Sequence, residues 1–392
     1  MLSSVLFLCS VAIQAPMLES EIIFPAEPFH NHGSSIVETA DGDLMACWFH
    51  GTGERRSDDV QIMGARKRKG ESAWSAPFQM ADTPDLPDCN PVLFIDPRGK
   101  LWLFWIAVQD NEWGGSLLKY RVASSYAKDG PPEWEWQDVI HCRPQEMDPL
   151  YFNALGEAEA KYAEVLKVNE GLRNDIEQLK VRGKEKLTQR LGWMTRLHPI
   201  MLSDTRMMLG LYSDVFNCSL AGFTEDWGKT WTFSKPIASA ELGNIQPSFV
   251  KKTSGDVVAF MRDNGPPQQI RRATSTDSGV SWGPVEKMEI PNPGSSVECI
   301  ALANGHWALV CNDTKNGRHV LTMYLSDDEG ATWKWKRRLE DFKPEEGSGS
   351  YPSLIQAKDG NLHCTYSFTQ KGVDGSTIKH AKFNEDWIKQ GQ

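Results

Sequence analysis

The sequence predicts an all-β chain folded as a six-bladed β-propeller with one helical insertion. Three observations predict it. A turn motif recurs at a fixed period, strand-like apolar runs flank each copy, and the chain length holds about six such periods once a leader and one helix-like segment are set aside.

The motif is Ser/Thr-x-Asp-x-Gly-x-Thr/Ser-Trp. It occurs as TEDWGKTW (224–231), STDSGVSW (275–282) and SDDEGATW (326–333), so that Asp226, Asp277 and Asp328 stand 51 residues apart. Weaker echoes, ARKRKGESAW and SSYAKDGPPEW, end at Trp74 and Trp134. Each copy reads as a hairpin turn. The Asp carboxylate accepts from backbone N–H groups, the Gly supplies a positive φ, and the Trp packs the turn onto its sheet. Runs such as QIRRATS and HVLTMYLS lead into these turns as strands. A box of this kind is structural, and about 50 residues is the size of a four-stranded blade.

Two segments depart from the pattern. Residues 1–15 include an apolar stretch, Val5 to Ala15, ending in a small residue, as a signal peptide does, although the basic start is missing. This implies a secreted or periplasmic protein. Residues 157–190 read as helix, with Tyr162, Val165, Leu166, Leu172, Ile176 and Leu179 spaced by threes and fours. Residues 146–195 are therefore expected to be an insertion within a propeller spanning 20–390, covering the active face or mediating oligomerisation. Without leader and insertion roughly 327 residues remain, about 6.4 periods.

Composition narrows the partners. A net charge of −10 argues against nucleic acid, which needs a basic stripe, yet leaves an acidic sugar open because a few local arginines suffice for it. The 15 tryptophans suit repeated β-units or sugar platforms. None of the eight cysteines forms a C-x-x-C pair, and several lie in apolar strand-like runs, so buried free thiols are expected, with disulfides open. No run beyond the leader is long enough to span a membrane. No metal site or cofactor is expected; Asp58 and Asp59 lack the spacing of a calcium loop.

Candidate site residues are polar groups that strand patterning does not explain. HNHGSS (30–35) places two histidines, including His32, at the start of the first strand. GERRSDDV (53–60) packs Glu54, Arg55, Asp58 and Asp59 before the next strand, as a tuned acid or base or as a solvated charge cluster. Asn90 opens an otherwise apolar hairpin. Arg262 ends a buried-looking strand and needs an anion, from a ligand or from the protein. Arg318 begins another strand, and Tyr351 sits among small residues in GSGSYPS, where a phenol beside arginines can act as nucleophile or donor.

The boxes and these positions together resemble the sialidase (neuraminidase) superfamily, in its Asp-box branch of bacterial predicted neuraminidases. The resemblance runs from about Phe29 to the C-terminus, apart from the helical segment. CNPVLFIDPRGKLWLFWIA looks like a second-blade strand pair of that family, and Gln246 with Arg262 16 residues later has the spacing of its glutamate and second arginine. Arg318 is placed like the third arginine and Tyr351 like the nucleophilic tyrosine; Asp59 falls near the acid/base loop. The resemblance implies an exo-glycosidase in which arginines clamp a sugar carboxylate, Tyr351 attacks the anomeric carbon and an aspartate serves as acid/base. It also implies pocket roles for His198, Tyr212 and Asp214. Two departures stand out. The motif carrying the first arginine is replaced by HNHGSS, with His32 at that place, and the activating glutamate is Gln246, whose amide takes no proton. His32, His198, Glu54 and Glu298 are candidates for the missing base. Hydrolysis of a terminal α-linked sialic acid or related acidic sugar is thus the leading expectation. A polysaccharide lyase or other histidine-based uronate-active enzyme and a non-catalytic carbohydrate-binding propeller are the alternatives.

Overall fold

The computed structural model describes residues 15–265 and 268–391. After the leading strand β1 (Leu18–Ile22), the first blade is β2 (His30–Glu38), β3 (Leu44–Gly51), β4 (Gln61–Lys67) and β5 (Phe78–Ala81). The second is β6 (Asp88–Ile95), β7 (Leu101–Val108), β8 (Ser116–Ala123) and β9 (Trp136–Val139). Three helices follow, α1 (Met147–Lys161), α2 (Ala163–Val168) and α3 (Glu170–Arg182). The third blade is β10 (Ile200–Met201), β11 (Met207–Ser213), β12 (Cys218–Thr224) and β13 (Thr232–Phe233). The fourth is β14 (Asn244–Lys251), β15 (Val257–Asp263), β16 (Gln269–Ser275) and β17 (Glu286–Pro291). The fifth is β18 (Glu298–Ala301), β19 (Trp307–Asn312), β20 (Val320–Ser326) and β21 (Trp335–Asp341). The sixth is β22 (Gly347–Gln356), β23 (Leu362–Gln370) and β24 (Thr377–Phe383), and α4 (Glu385–Lys389) ends the chain. All strand pairs within these six sheets are antiparallel, and the architecture is the six-bladed propeller expected.

The sixth blade is completed by the other end of the chain. β1 pairs with β24 in register Leu18↔Phe383 to Ile22↔Lys379, which closes the ring. Glu21 pins this joint. Its carboxylate accepts from His380 Nδ1 at 3.0 Å, from Trp74 Nε1 at 3.1 Å and from Lys67 Nζ, so that it ties blade six to blade one.

Strand burial follows blade packing. Every residue of β7 (LWLFWIAV) is buried, because a middle strand has a neighbouring blade on each face. The three boxes form the turns between third and fourth strands. In each, two consecutive residues have positive φ (Trp227 and Gly228, Ser278 and Gly279, Glu329 and Gly330), as a tight hairpin turn of inverted hand requires. Asp277 accepts from Ser281 N at 2.9 Å and from the Ser275 hydroxyl at 2.7 Å; Asp226 and Asp328 repeat the arrangement. Trp282 stacks on Phe249 with centroids 5.3 Å apart, and Trp333 meets Phe260 of the preceding blade edge-on.

Four of the six innermost strands share one irregularity. Register shifts fall between His32 and Ser35, Cys89 and Val92, Ile245 and Ser248, and Ser350 and Ser353. At these bulges Gly33, Asn90, Gln246 and Tyr351 hold positive φ values between 52° and 64°. An unpaired bulge residue re-aims its side chain. Prolines 91, 247 and 352 follow three of them, and a residue without an N–H suits the point where the ladder is broken. Serines close the ring there: Ser353 Oγ accepts from Ile36 N, Ser35 Oγ from Leu93 N and Ser248 Oγ from Cys299 N, each between adjacent blades.

The helical segment differs from expectation in where it starts. α1 begins at Met147 because Met147, Tyr151, Ala154, Leu155 and Ala158 form an apolar face of their own. The helix breaks at Tyr162, and Asn169 caps α3 by accepting from Leu172 N. Ile176 is buried, whereas Val165 is 46% exposed. The seven cysteines from Cys47 to Cys364 are free and buried. Cys9 and the expected signal peptide, but for Ala15, lie outside the described residues. Among the described residues no helix is long and apolar enough to cross a membrane.

Candidate active site

Tyr351 is the centre of the site. Its backbone sits at the β22 bulge with φ +54°, a strained conformation for a bulky residue. Three arginines surround it. Arg262, at the end of β15, donates from Nη1 to the Tyr351 phenol at 2.7 Å. Arg318, just before β20, lies 4.9 Å from the Tyr351 ring centroid and donates to Gly294 O. Arg196 lies 5.2 Å from the same centroid and donates to Ser34 O, Tyr351 O and Pro352 O. Among the described residues none of the three is ion-paired with a carboxylate, and Arg262 Nε is buried without a hydrogen-bond partner. Burial works against ionisation of the Tyr351 phenol, but the charges of Arg262 and Arg318 outweigh it and hold its pKa below the ordinary value.

His32 packs against Tyr351 with centroids 4.2 Å apart. Burial, then the charges of His30, Arg318, Arg196 and Arg262, keep its pKa far down, so the ring is neutral. Glu54, in the loop after β3, accepts from His30 Nε2 at 3.2 Å. Burial raises its pKa, yet His30, Arg55 and Arg318 carry it below the usual carboxylate value. Asp214, just after β11, behaves oppositely. Its Oδ1 is buried with no hydrogen-bond partner, and burial holds the carboxyl above its ordinary pKa against the pull of Arg262 and Arg55.

The bulges of blades two and four converge on Tyr212 of blade three. Asn90 Nδ2 and Gln246 Nε2 donate to its phenol at 3.0 and 3.2 Å. Burial raises the Tyr212 pKa, so the phenol stays protonated. Gln246 Oε1 is buried and unpartnered.

Other expected site residues lie elsewhere. Asp59 is exposed and turned onto its own loop, accepting from Thr52 N at 3.1 Å and Thr52 Oγ1 at 2.8 Å; Asp58 accepts from Asn111 Nδ2 at 2.8 Å. Arg55 pairs with Glu112 and lies 5.1 Å from the Trp113 ring. These residues fasten the first-blade loop to the second blade, and the carboxylate this loop turns toward the arginines is that of Glu54. His198 is half-buried among the inner strands rather than at Tyr351. Its Nδ1 meets Glu298 at 2.7 Å and its Nε2 meets Ile36 O at 2.8 Å. Both ring nitrogens face acceptors, so the ring carries two protons. Burial opposes that charge, but Glu298 overcomes it and raises the pKa. Glu298 also accepts from Leu354 N, which makes the pair a brace across blades one, three, five and six. It lines a cavity of about 530 Å3 at the other ends of the inner strands, away from Tyr351. No group of three or more His, Cys, Asp and Glu among the described residues could hold a metal.

Residues 42–162 and 184–364 match the BNR repeat-like domain family. The chain belongs to that family. Among curated relatives, a sialidase of Micromonospora viridifaciens is 27% identical over 176 residues, 42% of this chain and 25% of that one. The match thus spans about a quarter of the relative's length. Among solved structures, a protein of unknown function from Dyadobacter fermentans superposes with TM-score 0.69 at 15% identity, covering 93% of this chain and 98% of that one. The intramolecular trans-sialidase of Ruminococcus gnavus, in complex with oseltamivir carboxylate, gives 0.66 at 12% identity, covering 93% and 96%. At these identities the structural likeness speaks for the sialidase-like fold alone.

In this BNR repeat-like propeller, sequence reasoning missed Arg196. It stands in TRLHPI, where nothing marks it as buried until α1–α3 are removed and the segment is seen to open the third blade. The proline pairs Asn90-Pro91, Gln246-Pro247 and Tyr351-Pro352 were the available signal for the bulges. Residues before proline normally avoid helical backbone and extend, so a recurrent X-Pro within apolar strands marks a break in the ladder.

Proposed function

We propose that the protein is an exo-glycosidase of sialidase type that hydrolyses a terminal α-linked sialic acid or a related acidic sugar. One observation carries this reading: Arg262 and Arg318 converge on Tyr351, and among the described residues neither forms an ion pair with a carboxylate. A guanidinium drawn partly out of water without a counter-charge costs several kcal/mol, and a ligand carboxylate placed between the two forks recovers it. Arg262 and Arg318 bind that carboxylate, and Tyr351, its phenol eased toward ionisation, attacks the anomeric carbon. Arg196 has a different task. Its two Nη atoms donate to carbonyls, so it holds the strained Tyr351 backbone rather than substrate. Gln246 cannot draw off the phenolic proton; it positions Tyr212.

The test is a panel of sialosides and uronosides with the full chain and with Tyr351→Phe. Release of free sugar by the wild type, reduced by about 10²–10⁴-fold in the variant, is expected. A folded protein that hydrolyses none of them refutes the reading. The neutral His32 against Tyr351 favours one second reading, proton abstraction beside a uronate carboxylate. An unsaturated, ultraviolet-absorbing product in place of a hydrolysed sugar would establish it.

A further inference from the structure

Hydrolysis of a glycosidic bond needs an acid on the side of the leaving group, and the expected aspartate is spent elsewhere, since Asp59 is exposed and closed onto Thr52. A second cavity of about 680 Å3 lies under α3, lined by Trp113 of the second blade, by Gln178 and Arg182 of α3, by Thr188 and by Asp214. Asp214 connects this cavity with the arginines. It lines this cavity, and it lies within electrostatic reach of Arg262, Arg55 and Glu54 on the arginine side. Its buried Oδ1 has no partner in the protein.

We propose that the departing sugar lies in this cavity under α3 and that Asp214 is the acid/base that gives it its proton. This rests on the glycosidase reading above. In the first half-reaction the Tyr351 oxygen, its proton already given up to solvent beside Arg262 and Arg318, bonds as phenolate to the anomeric carbon, the glycosidic C–O bond breaks, and the departing oxygen takes the proton of Asp214. In the second half a water oxygen bonds to the anomeric carbon and its proton returns to the Asp214 carboxylate. The Tyr351 phenolate leaves and is received by Arg262. The environments agree with these assignments. Burial holds the Asp214 carboxyl above its ordinary pKa, while His30 and the nearby arginines hold Glu54 below its own. The helical segment gains a function in consequence, because α3 walls the space for the leaving group.

The experiment compares Asp214→Asn with the wild type on two glycosides of whichever acidic sugar the panel identifies, one alkyl and one 2,4-dinitrophenyl. The dinitrophenolate leaves without a proton. Asp214→Asn should lose about 10²–10⁴-fold in kcat/KM on the alkyl glycoside and stay within about threefold on the aryl one, with azide restoring turnover. Asp214→Glu, which keeps the acid, should recover activity on the alkyl glycoside and guards against a folding defect. Equal losses on both substrates, or the leaving-group dependence appearing in Glu54→Gln or Asp59→Asn instead, would overturn the assignment while leaving the glycosidase reading intact. A wild type that cleaves neither glycoside removes both.

Discussion

Replacing Glu21 by Gln should loosen the ring closure by an amount the structure allows to be worked out. Glu21 is the acceptor at which β1 meets Lys67, Trp74 and His380. Burial raises its pKa, but the bonds from His380 and Lys67 prevail and take it from 4.5 to about 2. Taken whole, a fall of that size corresponds to roughly 3 kcal/mol. Two things reduce it. The Glu21 and Lys67 side chains are 28% and 20% exposed, so water screens the pair. Burial also keeps His380 below its ordinary pKa, so this ring is a neutral donor. Its Nδ1–H serves Glu21, and its Nε2 accepts from His363 Nδ1–H at 2.9 Å. About 1–2 kcal/mol remains, which shifts the melting temperature of a chain this size by roughly 1–3 °C. The sign follows from a depressed folded pKa. The stabilisation is complete above about pH 5, declines as pH falls below 4.5 and vanishes near pH 2. Urea unfolding of wild type and Glu21→Gln from pH 7 to pH 2 measures it. A difference under about 0.5 kcal/mol at pH 7, or one that grows as the solution is acidified, would refute the account of the closure.

Two further perturbations test other parts of the frame. Asp277→Ala removes three hydrogen bonds inside one box, from Ser281 N, Ser281 Oγ and Ser275 Oγ, and should cost about 1–3 kcal/mol in urea unfolding while leaving KM for any substrate unchanged. His198→Gln breaks the brace to Glu298 and should cost about 3–5 kcal/mol. Because the folded pKa of His198 is raised, its charged-state contribution is present below about 6.5 and is lost as pH rises through the folded value, so the loss in the variant should be larger at pH 5.5 than at pH 9.

The repeat made the fold legible because a box is a local device. Asp277, its two hydroxyl partners and Gly279 all lie within seven residues, so one short string encodes the whole turn. The closure was not legible, since nothing local in LESEI says that it will pair with TIKHAKF at the far end of the chain. The site divides the same way. Arg262, Arg318 and Tyr351 were found because each interrupts strand patterning, and they do meet. Asp59 and Glu54 lie five residues apart on one loop, and spacing alone cannot say which carboxylate turns inward. The tie from Asn111 to Asp58 and the bond from Thr52 to Asp59 decide it, and both depend on how the loop folds back.

The bulges explain why so much polar chemistry fits a channel walled by apolar blades. A regular inner strand alternates its side chains between the two neighbouring blades and presents none of them squarely to the axis. One extra residue in left-handed backbone breaks the alternation and turns its side chain inward, at a cost of about 1–3 kcal/mol for a residue other than glycine. Glycine takes this place in blade one, where an added Cβ would lie 2.9 Å from Phe49, and His32 beside it supplies the inward group. In blade six the strain falls on Tyr351 itself, and Arg196 offsets it by binding the carbonyls of Tyr351 and Pro352 and, on blade one, that of Ser34. A buried arginine with carbonyl partners alone is a poor bargain for stability unless it holds something in place. Its position beneath the ring that Arg262 contacts from the other end of the side chain makes Tyr351 the residue being held, which is what the proposed attack by this phenol beside a sugar carboxylate would require.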